Sequence, residues 1–344
     1  MVDENAALIN EFLTHKEINQ GRSVGTVDSY RHKLLKLVEY LDEQGKTLLQ
    51  ASADDLVEFT GLHLHQNGVA PRSRRPAVAA VRQFYQWMLK GGIIRENVAA
   101  GLEYPKIGRK LPYALPIQYA ERLLMQPDMT TLRGCRDAAM LGVLLGTGLR
   151  VSGLVGLNQE DIVFDQDPEK GQIQFLRVTE KGGHERLVPL PLDSYLLIRC
   201  YLGHRSIDDI ERTLPNGKTV LFVSEKNRLV FPADYFGEAR RLTTSSVRRM
   251  ILSYGLRAKI PVEYLHPHAM RHTYGTELAE AGVDIHVRQA LMGHKAVEST
   301  LLYDRMSIRR LSNAADKANP LNRIKSPVTS IADEFRRRGI TGKI

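Results

Sequence analysis

At 344 residues the chain exceeds the roughly 100–200 residues of one ordinary domain, so two domains, each able to bury a core, are the starting expectation. Its 43% hydrophobic and 25% charged residues are those of a chain folded in water. No apolar run reaches the length of a membrane span, and the acid-containing start MVDENAALINEF is unlike a secretory leader; the expectation is a cytoplasmic protein with no membrane partner. A net charge of +9 makes a polyanion the default partner, although charge alone fits a merely basic soluble protein equally well.

From Ala6 to about Leu102 apolar residues recur at mixed three and four spacings, as in SYRHKLLKLVEYL and AVAAVRQFYQWML, which predicts about four helices broken at QGRSVG, QNGVAPRS and KGGII. Phe84, Tyr85, Trp87 and Met88 sit at helical spacing, and core is favoured over a base-stacking platform. The stretch EYPKIGRKLPYALP, residues 103–116, carries three prolines with Lys106, Arg109 and Lys110, and is predicted to be an extended basic linker. Those three side chains are candidate phosphate contacts; a solvated hinge is the alternative. Beyond it, RGCRDAAMLGVLLGTGL is a helix stopped by glycines, QIQFLRV alternates like a strand, and EKGGHERLVPL turns through Gly182 and Gly183 into another. Helical patterns return from Ser245 through Ser307. The two cysteines, Cys135 and Cys200, have no ligand spacing and are expected to be reduced and structural.

Four separated pieces carry candidate chemistry. Arg150 follows the glycine break in GTGLRVSGLVGL, where capping a helix or pairing with Asp161 is the simpler explanation. Lys181 stands at the tip of the predicted hairpin, a position where lysine is commonly solvent-exposed. His268 and Arg271, in HPHAMRHTYGT, are three apart on one helix face, with Pro267 suited to the helix start. His294 follows a glycine in LMGH, and Tyr303 lies nine residues on in STLLYDR, where a tyrosine beside Leu301 and Leu302 is more often core than nucleophile.

Taken together the pieces have one economical reading. Two arginine forks match two oxygens of a phosphodiester and best stabilise it as charge builds in the transition state. A tyrosine attacking phosphorus stores the backbone bond as an ester, so neither ATP nor a metal is needed. A phenol with pKa near 10 needs a base, for which histidine is suited, and the leaving sugar oxygen needs an acid, which lysine can be.

In order and context, Arg150, Lys181, His268, Arg271, His294 and Tyr303 resemble the motifs of the tyrosine recombinases, the phage integrase and Xer-like family. The resemblance spans about Pro112 to Arg305, with a weaker likeness over SVGTVDSYRHKLLKLVEYL and AVRQFYQWMLKGGIIRENVAAGL. It implies a multidomain fold: an all-α amino-terminal core-binding domain (1–102), the basic linker (103–116), a mixed α/β, mainly helical catalytic domain (117–308), and a carboxy-terminal tail (309–344). The two domains would form a C-shaped clamp on duplex DNA. Carried over residue by residue, Arg150 and Arg271 bind the phosphate, Lys181 is the general acid, His268 assists proton transfer, His294 contacts the phosphate or orients the nucleophile, and Tyr303 forms the 3′-phosphotyrosine on the way to a Holliday junction. The implied partners are a double-stranded recombination site, three further copies in a tetramer on DNA, and accessory DNA-bending or directionality proteins. No cofactor is implied, and a bacterial member would be nucleoid-associated. One departure stands out: where the family pattern GLRxSE has an acid, this chain has Gly153. His266 reads as incidental and His272 as support by packing or hydrogen bonding.

The tail segment SIADEFRRRG is predicted to be a short helix capped by Ser330, with Asp333 and Glu334 in its first turn and an Ile331–Phe335 stripe that must dock somewhere. The family precedent is exchange between protomers; folding back on the same chain is the alternative. Rival functions are a cleavage-deficient architectural DNA-binding protein and a type IB topoisomerase-like relaxing enzyme. A metal-dependent nuclease fits less well, because no tight cluster of Asp and Glu accompanies the basic residues.

Overall fold

The computed structural model describes residues 2–108, 113–167, 171–179, 185–226, 230–293 and 305–337. It separates into two compact units, Met1–Lys110 and Leu111–Ile344.

The first unit is helical. Helix α1 (Val2–Thr14) runs on through a wide π turn, α2 (Val24–Asp42) follows the QGRSVG break, and α3 (Ala53–Glu58) passes through a second π turn into the short α4 (Leu64–Gln66). A capping box starts α3: the Ser52 hydroxyl accepts from Asp55 N–H at 3.2 Å and the Asp55 carboxylate accepts from Ser52 N–H at 2.8 Å. Pro71 opens α5 (Pro71–Lys90) at the first-turn position where its missing N–H costs nothing. Phe12, Leu34, Leu37, Leu56, Val81, Phe84 and Met88 fill the core. Phe84, Tyr85 and Met88 are buried as expected and Trp87 half-buried; the Tyr85 hydroxyl donates to the Leu48 carbonyl at 2.7 Å.

The second unit is built around α7 (Leu132–Thr147), every residue of which except Arg133 is buried. It is preceded by α6 (Ile117–Leu124) and followed by α8 (Val151–Gly156). A three-stranded antiparallel sheet comes next: β1 (Ile162–Asp167), β2 (Gly171–Thr179) and β3 (Glu185–Pro189), in the order β1-β2-β3. Strand β1 had no predicted counterpart, because its sequence IVFDQD is too short and too polar to show alternation. Helix α9 (Leu192–Leu202) packs on α7 at closest approach where Gly142 admits the Leu197 side chain. Then come α10 (Thr244–Arg257), α11 (Pro267–Glu280) and α12 (Ile285–Met292). Both cysteines are free, Cys135 buried and Cys200 half-buried.

The tail forms α13 (Arg305–Lys317) and α14 (Thr329–Arg337), and within the single chain it packs on its own unit. Leu321, Ile324, Val328 and Ala332 join the core built on α7 and α9, while Leu311, Ala315 and Ala318 pack with Tyr274, Leu278 and Leu291. Arg323 donates to both carboxylate oxygens of Glu277, at 2.9 and 2.8 Å. Two expectations for α14 are corrected. It starts at Thr329, so Ser330, Asp333 and Glu334 fall later in the helix than predicted, and the Ser326 N–H instead donates to the Thr329 hydroxyl at 2.6 Å. Ala332 on the helix and Val328 just ahead of it face inward, while Ile331 is 42% exposed; the Phe335 side chain lies outside the described residues.

Candidate active site

The geometry of the site starts at the end of α7. Gly148 takes the left-handed conformation (φ +61°), where a helix commonly stops on glycine. A side chain is excluded there twice over: the backbone is strained for any residue with a Cβ, and that Cβ would lie 2.4 Å from Cδ1 of the buried Tyr274 ring. Two residues on, Arg150 is extended and sits at the N-cap of α8, so its guanidinium leaves the chain where α7 turns into α8. One of its nitrogens donates to the Gly293 carbonyl at 3.2 Å. The alternative pairing with Asp161 does not occur, since Asp161 faces Lys218 at 3.8 Å and accepts from the Asn158 N–H.

Helix α11 brings in the second arginine. Its N-cap is His266, whose Nδ1 accepts from the Ala269 N–H at 3.0 Å, with Pro267 at the first helical position. His266 is therefore not incidental, as its sequence context suggested; it fixes the turn from which His268 projects. One turn along, Arg271 is only 6% exposed. Its Nη1 donates to the Gly148 carbonyl at 2.6 Å and its Nη2 to the Met292 carbonyl. Arg150 and Arg271, 121 residues apart in sequence by their numbering, thus converge on the last two residues before His294.

Helix α12 is fixed at both ends. The Asp284 carboxylate caps its start by accepting from His286 N–H at 2.8 Å, and Gly293 ends it in the left-handed conformation (φ +63°). A third arginine, unanticipated from sequence, meets the same end: Arg186 on β3 is 4% exposed and donates to the Leu291 carbonyl at 3.0 Å. Strand alternation was the available signal, because Arg186 shares the inward face with Val188 while Glu185 is exposed.

The electrostatics separate the titratable groups. Partial burial, reinforced by the positive neighbours His266, His272, Arg271 and Arg248, holds the His268 pKa below the ordinary histidine range. His272, half-buried on the same helix, is lowered for the same reasons. Tyr274 is fully buried and its phenol is pushed well above the usual tyrosine value by desolvation. It is a packing group beside the arginines, held protonated, and has no route to solvent-borne substrate.

Lys181, His294 and Tyr303 lie outside the described residues. Of the linker lysines and arginine, Lys106 is exposed and Arg109 and Lys110 are outside the described residues. At Gly153, where the family pattern has an acid, an added Cβ would stand 3.1 Å from a Val178 methyl, so the helix there lies close against β2. Among the described residues no three His, Cys, Asp or Glu side chains are grouped to hold a metal ion.

Comparison with known proteins gives this arrangement its family. The phage integrase family pattern matches residues 117–309, and the family's N-terminal SAM-like domain matches residues 9–92. Among curated relatives, tyrosine recombinase XerD of Vibrio cholerae is 30% identical over 318 residues, covering 91% of this chain and 96% of the relative. Tyrosine recombinase XerD of Pasteurella multocida is 31% identical over 317 residues, 92% and 99% of the two chains. Among solved structures, the XerH site-specific recombinase in a post-cleavage complex with its difH substrate shares the fold with a TM-score of 0.62 at 18% identity, covering 90% of this chain and 94% of the other. A lambda integrase tetramer bound to a Holliday junction gives 0.58 at 16% identity, covering 90% and 77%. An all-helical first unit, a mainly helical second unit with one small sheet, and family matches over both units establish that the chain belongs to the phage integrase family of tyrosine recombinases.

Proposed function

We propose that the protein is a site-specific DNA recombinase that cleaves and rejoins duplex DNA through a 3′-phosphotyrosine intermediate and a Holliday junction. The observation that carries the reading is the convergence of Arg150 and the buried Arg271 on the turn immediately before His294. Two fixed guanidinium groups aimed at one point are suited to a phosphodiester that becomes more negative as it reacts.

In this reading the Tyr303 oxygen attacks phosphorus, its proton passing to His268, and the bond to the 5′ oxygen breaks as Lys181 supplies that oxygen with a proton. The freed 5′-hydroxyl then attacks the phosphotyrosine of a partner duplex, restoring the tyrosine and a continuous strand. One ester is exchanged for another at each step, so the chemistry is complete in side chains and DNA. His294 would contact the same phosphate or orient the nucleophile. The helical unit, Lys106, Arg109, Lys110 and the net charge of +9 would supply sequence-independent phosphate contacts. A tetramer on the DNA brings two duplexes together, aided by accessory DNA-bending or directionality proteins.

The test uses short nicked duplexes tiled across the DNA that flanks the protein's own gene. After incubation and denaturation, a covalent protein–DNA adduct is expected, with the nucleotide on the peptide containing Tyr303 when the adduct is digested and weighed. Attachment elsewhere would reassign the nucleophile, and tight, salt-sensitive binding without any adduct would favour the architectural role.

The state of His268 makes a further expectation. Because its pKa lies below the ordinary value of about 6.5, it is neutral and able to accept a proton at pH 7. Adduct formation should therefore hold its rate as pH falls to 6.5 and decline only below that, as protonation removes the base. A pH–rate profile of single-turnover cleavage checks this, and a midpoint above 6.5 would contradict it.

A further inference from the structure

A helix leaves its last carbonyls without intrahelical partners, and at the end of α12 three arginines take three consecutive ones. Arg186 donates to Leu291, Arg271 to Met292 and Arg150 to Gly293. They come from strand β3, helix α11 and the α7–α8 junction, so this one turn is tied to the rest of the unit from three sides. Three cations at the carbonyl end of a helix also complement its dipole.

The three are not equivalent. In the function proposed above, Arg150 and Arg271 must also grip the scissile phosphate, and an anion competes with neutral carbonyls for the same donors. In the same proposal Arg186 has no part in gripping the phosphate. It is the least exposed member of the trio, and β3 places it five residues after Lys181, in the strand that follows the predicted general acid.

We infer that Arg186 is a positioning residue that holds the end of α12, and with it the backbone leading into His294, while Arg150 and Arg271 redirect donors to the phosphate. A guanidinium suits this role because its charge cannot be lost and its fork fixes direction. Strand β3, which begins four residues after Lys181, is thereby tied to the end of α12, whose cap residue Gly293 directly precedes His294 in the chain. The catalytic half of the inference rests on the recombinase reading; the anchoring half does not.

The test has two arms on the full-length protein. In the first, hydrogen exchange is followed in the free protein and in Arg186→Met. Amides of residues 285–293 are expected to exchange about tenfold faster in the variant, the loss of one charge-assisted bond, with α7 and α9 unchanged. Unchanged exchange in α12 would overturn the inference, as would acceleration spread evenly over α7 and α9, which marks a merely structural role. Should Arg186→Met fail to fold, Arg186→Lys keeps the charge and loses the fork. It is expected to show the same local effect at about threefold, and unchanged exchange there overturns the inference equally.

In the second arm, single-turnover adduct formation on the nicked duplex is expected to slow about tenfold in Arg186→Met while DNA affinity stays within about twofold. A loss of affinity at unchanged rate would overturn the positioning role. If the unmodified protein forms no adduct at all, the phosphotyrosine reading has failed, and hydrogen exchange alone decides whether Arg186 anchors α12.

Discussion

Arg271→Lys should slow single-turnover adduct formation by about 10²- to 10³-fold, roughly 2.7–4 kcal/mol of transition-state stabilisation. The charge survives the substitution, so the effect comes from geometry. Arg271 reaches two carbonyls on different elements, Gly148 at the end of α7 and Met292 at the end of α12, from an almost fully buried position. A lysine ammonium is a single point on a flexible stem and cannot satisfy both while presenting a donor to a phosphate. It leaves one carbonyl without its partner and the phosphate with one fewer directed contact. DNA binding before cleavage should change little, because that affinity is set by the number of phosphates neutralised and the count of positive charges is the same. Rapid-quench kinetics on the nicked duplex, beside a binding titration, separate the two. A rate within about fivefold of the unmodified protein would mean that Arg271 acts as a charge and not as a fork.

Gly148→Ala should cost the fold about 2–5 kcal/mol, the sum of a left-handed backbone that a Cβ disfavours and a clash in a filled core. The clash is specific: the new methyl would stand 2.4 Å from the Tyr274 ring, which is itself wholly buried on α11. Either the α7 terminus or the tyrosine has to move. Both movements displace Arg271, because the Gly148 carbonyl accepts from it and Tyr274 lies one turn along the same helix. Urea unfolding with an unchanged m-value and a lower midpoint measures the stability term. Adduct formation should fall further than that loss explains when both are compared at a temperature where the variant is fully folded. A stability change under about 0.5 kcal/mol would show that the turn after α7 is more adaptable than its packing implies.

The helix boundaries around the described arginines were legible in the residues, and other features were not, for reasons that differ from one group to the next. Arg150 and Arg271 stood out through the resemblance of their motifs to the tyrosine recombinases; the local signals, glycines before Arg150 and a proline four residues before Arg271, foretold only the end of α7 and the start of α11. Arg186 was not singled out, since an arginine in a short strand reads as solvent decoration until the strand's partner and the helix beyond it are known. His266 was set aside for a similar reason: a histidine as N-cap depends on its ring nitrogen reaching the Ala269 N–H, which sequence does not specify. In the tail, Val328 with Ala332 and Ile331 with Phe335 are both four apart, so periodicity alone could not choose the inward face. The space against the α7–α9 core chose Val328 and the small Ala332.

The placement of both arginines on the ends and neighbours of α7 also bears on how such a protein changes over time. Arg150 follows the end of α7, every residue of which but Arg133 is buried, and the Arg271 side chain on α11 is tied to that same end, whereas much of α10, including Ser245, Arg249 and Leu252, is exposed. Surface substitutions rarely cost more than a few tenths of a kcal/mol, while core substitutions cost several times that. Exposed positions are therefore free to drift and core positions are not. A lineage built on this frame can vary its outer surfaces, and with them the DNA or protein it meets, without having to reinvent the reaction.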